Sequence, residues 1–91
     1  MVQVRAQPKG EDWTCDVTVL AQGGRTHHEV TVRKADLERW GAGSDVRAVE
    51  DLVSRSFDFL LEREPPGSIL RTFELSVIQR YFPEYDRTIR R

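Results

Sequence analysis

The spacing of apolar residues changes once along the chain, from every second position up to about residue 33 to every third or fourth beyond it. Val2, Val4 and Ala6 alternate with Gln3 and Arg5, which predicts a short first strand, and the Pro, Gly and charged residues of 7–12 predict a turn behind it. From Trp13 the alternation is firmer. Trp13, Cys15, Val17, Val19 and Ala21 share one face, and Thr14, Asp16, Thr18 and Leu20 share the other. Gly23 and Gly24 supply the positive φ angles of a two-residue hairpin loop, and the next strand runs to Arg33. With that loop, Gln22 faces Arg25, Val19 faces His28, Val17 faces Val30 and Cys15 faces Val32. On the opposite face Asp16 meets Thr31, Thr18 meets Glu29 and Leu20 meets His27. A slip of one residue would mix the two sets, because a strand turns its side chains over at every step.

The stretch KADLERWG at 34–41 predicts one or two helical turns, with Leu37 and Trp40 three apart and Gly41 as the stop. Ser44 or Asp45 stands where it can cap a long helix from Val46 to Arg63. Val46, Val49, Val53, Phe57, Leu60 and Leu61 form its apolar stripe, widened by Leu52, and Arg47, Asp51, Arg55, Asp58 and Glu62 form its wet side. Pro65 disfavours helical geometry at Glu64 and ends the helix. After Pro65-Pro66-Gly67, Ser68 caps a short turn carrying Ile69, Leu70 and Phe73, and Ser76 with Gln79 has capping-box spacing for a last helix, Val77 to Phe82. Pro83 ends that helix. The tail behind it is polar apart from Tyr85 and Ile89, with residues 87–91 expected to fray.

These elements predict a single α+β domain over 1–91. A small antiparallel two- or three-stranded β-meander occupies 1–33, and three or four helices over 34–86 pack on one of its faces. The apolar face of the hairpin meets Val49, Val53, Phe57 and Leu60, and Ile69, Leu70, Phe73, Ile78 and Phe82 close over that stripe. The dense apolar block from Phe57 to Tyr85 then reads as core, with Pro-Pro-Gly as a turn rather than a cleft.

Composition narrows the function classes. At 91 residues there is room for one core, and a second copy could supply missing burial. Net charge is −1 and both halves are balanced, so strong attraction to nucleic acid or to an anionic membrane does not follow from the total. Twelve of the fourteen basic residues are Arg, which can pair bidentately with carboxylate or phosphate; coding bias or heat adaptation explains the same preference. The single cysteine, Cys15, excludes an internal disulfide and a Cys-based zinc site. No secretory signal and no membrane-length apolar run is visible, so the expectation is a cytoplasmic protein that uses no membrane.

The segments FDFLLEREP, SIL and FELSVIQRYFPEY, preceded by GGRTHHEVTV, resemble a family of short uncharacterised bacterial proteins with a Phe-x-Phe-Leu-Leu-Glu-Arg-Glu-Pro motif and a Tyr-Phe-Pro-x-Tyr ending. The resemblance covers roughly residues 15–86. It implies a small α+β domain of bacterial origin and brings no activity, substrate or site residue. Strands followed by a helix also resemble HicB-type antitoxins, as fold-level analogy alone.

Candidate chemistry is sparse. His27 and His28 point to opposite faces of their strand and cannot easily chelate one ion together. His28 reads as a histidine of the core face or its rim; His27, near Glu29 and Thr18 outside, would need a carboxylate or second imidazole from another segment to do chemistry. Cys15 on the core face has no basic neighbour and reads as inert, and in the expected register His28 is roughly 13 Å away along the partner strand. Glu62, Glu64 and Glu74 with Arg63 and Arg71 read as solvated charge around the Pro-Pro loop, against the alternative of a polar site. No phosphate loop, nucleophile motif or metal-ligand spacing is present, so no catalytic, cofactor or metal residues are expected.

Two binding readings remain. A sheet backed by helices leaves one face and two edges for a protein partner or a second copy, with Leu20 and His27 on that face and Trp13 or Trp40 partly exposed. Arg80, Arg87, Arg90 and Arg91, with Tyr81 and Tyr85 for stacking, form an alternative nucleic-acid surface, diluted by Glu84 and Asp86. The leading expectation is a non-enzymatic interaction or regulatory module, with Leu20, His27, Arg80, Arg87 and Arg90 as its candidate surface.

Overall fold

The computed structural model describes residues 1–21 and 23–90. In chain order it contains β1 (Val2–Lys9), β2 (Asp12–Ala21), β3 (Gly24–Val32), α1 (Lys34–Trp40), α2 (Val46–Leu61), a 3₁₀ turn (Pro66–Ser68), β4 (Thr72–Glu74), α3 (Val77–Tyr81) and α4 (Tyr85–Thr88). The sheet order is β1-β2-β3-β4, antiparallel for the first three strands and parallel between β3 and β4. The class is α+β, as the alternation predicts, but the sheet is a mixed one with a fourth strand.

The first strand runs through Pro8 and Lys9 where a turn is expected. Met1 and Leu20 exchange both backbone bonds at 2.8 Å, so the odd residues of β1 bond to β2 and the even ones turn their backbone to the free edge. Pro8 is an even residue, so its missing N–H removes no ladder bond. The outward N–H of Ala6 is taken by the Glu50 carboxylate of α2 at 3.0 Å. The turn into β2 is made at Gly10, with φ 63°.

The second hairpin closes one residue earlier than Gly23-Gly24. Ala21 pairs with Gly24, and Gly23 takes φ 82°. Every cross-strand pair is therefore displaced by two from the expected register: Cys15 faces Val30, Val17 faces His28, Asp16 faces Glu29 and Thr18 faces His27. A displacement of two keeps each side chain on its face, so the apolar pattern is satisfied equally by both registers. Of the expected pairs, Gln22 with Arg25 lies partly outside the described residues; Arg25 itself pairs with Leu20.

Helix α2 crosses the inner face of the sheet. Asp45 caps it, its carboxylate accepting from the Ala48 N–H at 2.9 Å, and the helix stops at Leu61, two residues short of Arg63. Val49, Val53, Phe57 and Leu60 face the sheet and are buried; Val46, expected in this stripe, is 40% exposed. Phe57 lies between His28 and Phe73, with ring centroids at 5.2 and 6.1 Å.

A second face of α2 is buried as well, by Leu52, Ser56 and Phe59. Trp40 of α1 and Tyr85 of α4 stack edge-on at 5.1 Å, and Tyr85 meets Phe59 at 5.3 Å. Tyr85 and Ile89 are thus core residues, and the segment expected to be a polar tail forms a helical turn seated on α2. Arg55, expected on the wet side, bonds Asp51 and also reaches the Ile89 carbonyl. Arg91 lies outside the described residues.

Candidate functional site

The chain between α2 and α3 builds a groove. Pro65 is extended and Pro66 opens the 3₁₀ turn, which Ser68 closes by donating its N–H to the Pro65 carbonyl at 2.9 Å rather than by capping. Ile69 is extended at φ −78° and ψ 133°, so Ile69 and Leu70 point opposite ways, one into the core and one out. The Leu70 carbonyl accepts from His28 Nδ1 at 2.7 Å, and the Glu29 N–H then bonds Arg71 O at 2.7 Å to start β4. A carbonyl only accepts, so His28 carries its proton on Nδ1 and its Nε2 accepts from the Thr26 hydroxyl at 2.9 Å. His28 is 4% exposed and anchors this segment; its role is in the frame of the groove.

The groove has a volume of about 270 Å³. Buried Leu60, Ile69 and Ile78 form its floor, and half-buried Phe73, Val77 and Phe82 line it further up. Leu70 and Tyr81 stand on its rim, 51% and 70% exposed. Leu70 was expected inside, closing over the stripe, whereas Tyr81, named above for stacking, occupies an inward position in the expected helix Val77 to Phe82. Two physical causes put them out. Leu70 alternates with Ile69, and α3 is only five residues long, so its inward side is filled by Ile78. Ser76 has helical backbone angles and makes no side-chain cap, so the expected capping box is absent there. Among the described residues, Glu64 is the one charged residue lining the groove.

The residues singled out from sequence do not converge. Leu20 is half-buried and His27 exposed on the outer sheet face, where Thr18 Oγ1 lies 3.2 Å from His27 Nδ1. Arg80 and Arg87 are exposed on α3 and α4, and Arg90 pairs with Asp86 at 3.1 Å. Of the acidic cluster, Glu74 pairs with Arg33 at 2.7 Å and Glu62 with Arg63 at 3.3 Å, and these face different neighbours. Trp40 is buried, its Nε1 donating to Asp86 Oδ1 at 2.8 Å, while Trp13 is half-buried. Burial pushes the Cys15 thiol up to about 12, helped by the nearby Glu50 and Asp16 carboxylates, so it is protonated and unreactive at neutral pH.

Among the described residues, no group of three His, Cys, Asp or Glu side chains is placed to hold a metal ion, and no helix is long and apolar enough to cross a membrane. Fold and groove together define a small mixed α+β domain with an apolar hollow at the β4 edge of its sheet. Comparison with protein-family models, with curated proteins and with solved structures finds no match to the chain.

Proposed function

We propose that the protein is a non-enzymatic interaction module that takes up a segment of a partner protein in the groove between the end of α2, the 3₁₀ turn, β4 and α3. The observation that carries this reading is an apolar hollow whose rim holds two large side chains, Leu70 and Tyr81, mostly in water. Exposed apolar surface gathered around a concavity gains free energy when covered, and tyrosine is enriched where proteins meet. The free thiol of Cys15 fits a reducing cytoplasmic setting.

The nucleic-acid reading draws less support. Arg90 is engaged by Asp86, Arg87 lies beside Glu84, and Tyr85, offered for stacking, is buried. The outer sheet face carries alternating charge and polar groups, Arg5 and Asp16 with Glu29, rather than an apolar patch.

Affinity capture from the source cell, with the native chain and its variants as baits, tests the assignment. Partner recovery is expected with the native chain and with His27→Asp, and is expected to be lost with Leu70→Asp and Tyr81→Asp. Loss with His27→Asp alone would move the site to the sheet face. Recovery of nucleic acid, abolished by Arg80→Ala and Arg87→Ala, would replace this reading by the alternative.

A further inference from the structure

Apart from Ser68 and the Tyr81 hydroxyl, the groove is lined among the described residues by apolar side chains and one carboxylate. Glu64 lines it, half-buried, its N–H bonded to the Leu60 carbonyl at 2.9 Å just beyond the end of α2. Among the described residues its side chain has neither an ion pair nor a hydrogen bond. The adjacent cation is committed elsewhere: Arg63 bonds the Phe59 carbonyl at 2.9 Å, lies 3.6 Å over the Phe59 ring, and pairs with Glu62 and Glu84 at 3.3 Å each.

Covering the groove strips water from the Glu64 carboxylate. That cost is offset only if the covering surface brings a positively charged donor; a neutral or acidic surface leaves the carboxylate desolvated and unpaired. We propose that the partner segment is an amphipathic cationic one, with large apolar side chains over Leu70, Phe73 and Tyr81 and an Arg or Lys that pairs with Glu64. The proposal deepens the binding reading above and rests on it. Glu64 then acts as a selector, and the apolar lining supplies most of the affinity.

The test uses a fluorescein-labelled amphipathic peptide of Leu and Lys, with counterparts in which every Lys is replaced by Gln or by Glu. Binding is followed by anisotropy and located by chemical-shift changes in the full chain. The Leu/Lys peptide is expected to bind roughly tenfold tighter than the Leu/Gln peptide, as a charge-assisted hydrogen bond in a partly dry site gives. Glu64→Gln should remove that preference. Glu38→Gln removes the same charge at a hollow lined by Trp13 and Leu37 and should leave it intact. Equal binding of all three peptides with shifts at Leu70 and Tyr81 would overturn the selection by charge and leave the groove as a docking surface. A Leu/Lys preference that survives Glu64→Gln would also overturn it, as general attraction to an anionic chain. No shift at Leu70 or Tyr81 with any peptide would overturn both the selection and the binding reading.

Discussion

The Tyr85 hydroxyl lies 2.7 Å from Ser56 Oγ, and both side chains are fully buried. Ser56 Oγ is also 2.7 Å from the Leu52 carbonyl, which only accepts. Each hydroxyl has one proton, so Ser56 gives its own to Leu52 and Tyr85 donates to Ser56. This chain of two bonds ties α4 to the second buried face of α2 and seats the aromatic cluster of Trp40, Phe59 and Tyr85.

That direction makes the two ends unequal. Tyr85→Phe removes a donor and leaves Ser56 still bonded, a net loss of about 0.5–1.5 kcal/mol. Ser56→Ala leaves the buried Tyr85 hydroxyl without an acceptor and should cost about 1–3 kcal/mol, reduced slightly by the better helix propensity of Ala. Chemical denaturation should rank Ser56→Ala as the costlier change, with the double variant close to Tyr85→Phe. The reverse ranking would show that Tyr85 is not the donor.

Raising the pH into the alkaline range should lower the stability in two steps. Burial raises the Cys15 thiol to about 12 from an ordinary 9.0, and burial likewise raises the Tyr85 phenol above its ordinary 10.0. Below the unfolded values both states hold the proton and nothing changes. Above them the unfolded chain ionises while the fold resists, so stability falls as pH rises, by at most about 1.4 kcal/mol per pH unit for each group. Denaturation midpoints should decline from near pH 9, and in Cys15→Ala only from near pH 10.

Asp86 predicts an acid dependence. Its carboxyl is held below the usual range, first by the Trp40 indole N–H and then by Arg39 and Arg90. A lowered folded value means that this contribution is present above the ordinary carboxylate range and is lost as pH falls through the folded value. Asp86→Asn keeps an oxygen for Trp40 but gives up the pairings with Arg39 and Arg90, so it should lose the acid dependence together with the stability those pairings contribute at neutral pH. Asp86→Ala leaves the buried indole N–H unpaired and should destabilise more, with a change in Trp40 fluorescence.

Phe57, fully buried against His28 and Phe73, is the centre of the main core. Phe57→Ala should cost about 3–5 kcal/mol in chemical denaturation. A loss under about 1 kcal/mol, far below that range, would show that the main core lies elsewhere.

The elements with a strong local period were legible. Alternation in residues 13–21 and the stripe of Val49, Val53, Phe57 and Leu60 identify a hairpin and the long helix packed on its face. The hairpin register was not legible, because two registers displaced by two residues bury the same side chains and only Gly23 with its φ of 82° separates them. β4 has three residues and pairs in parallel with a strand about forty positions away, so no local period announces it. The groove was hidden for the same reason. Leu70 and Tyr81 are apolar enough to read as core, and their exposure follows from β4 pairing and the shortness of α3. Tyr85 escaped because four residues of helix in a charged tail carry too little pattern to mark one buried aromatic.

The central claim, that the groove is the binding surface, is tested most directly by a photo-crosslinking amino acid placed at Tyr81 and, separately, at Thr18 on the outer sheet face. The expected result is a covalent protein adduct from position 81, absent with Leu70→Asp and absent from position 18. An adduct from position 18 with none from position 81 would contradict the assignment of the groove.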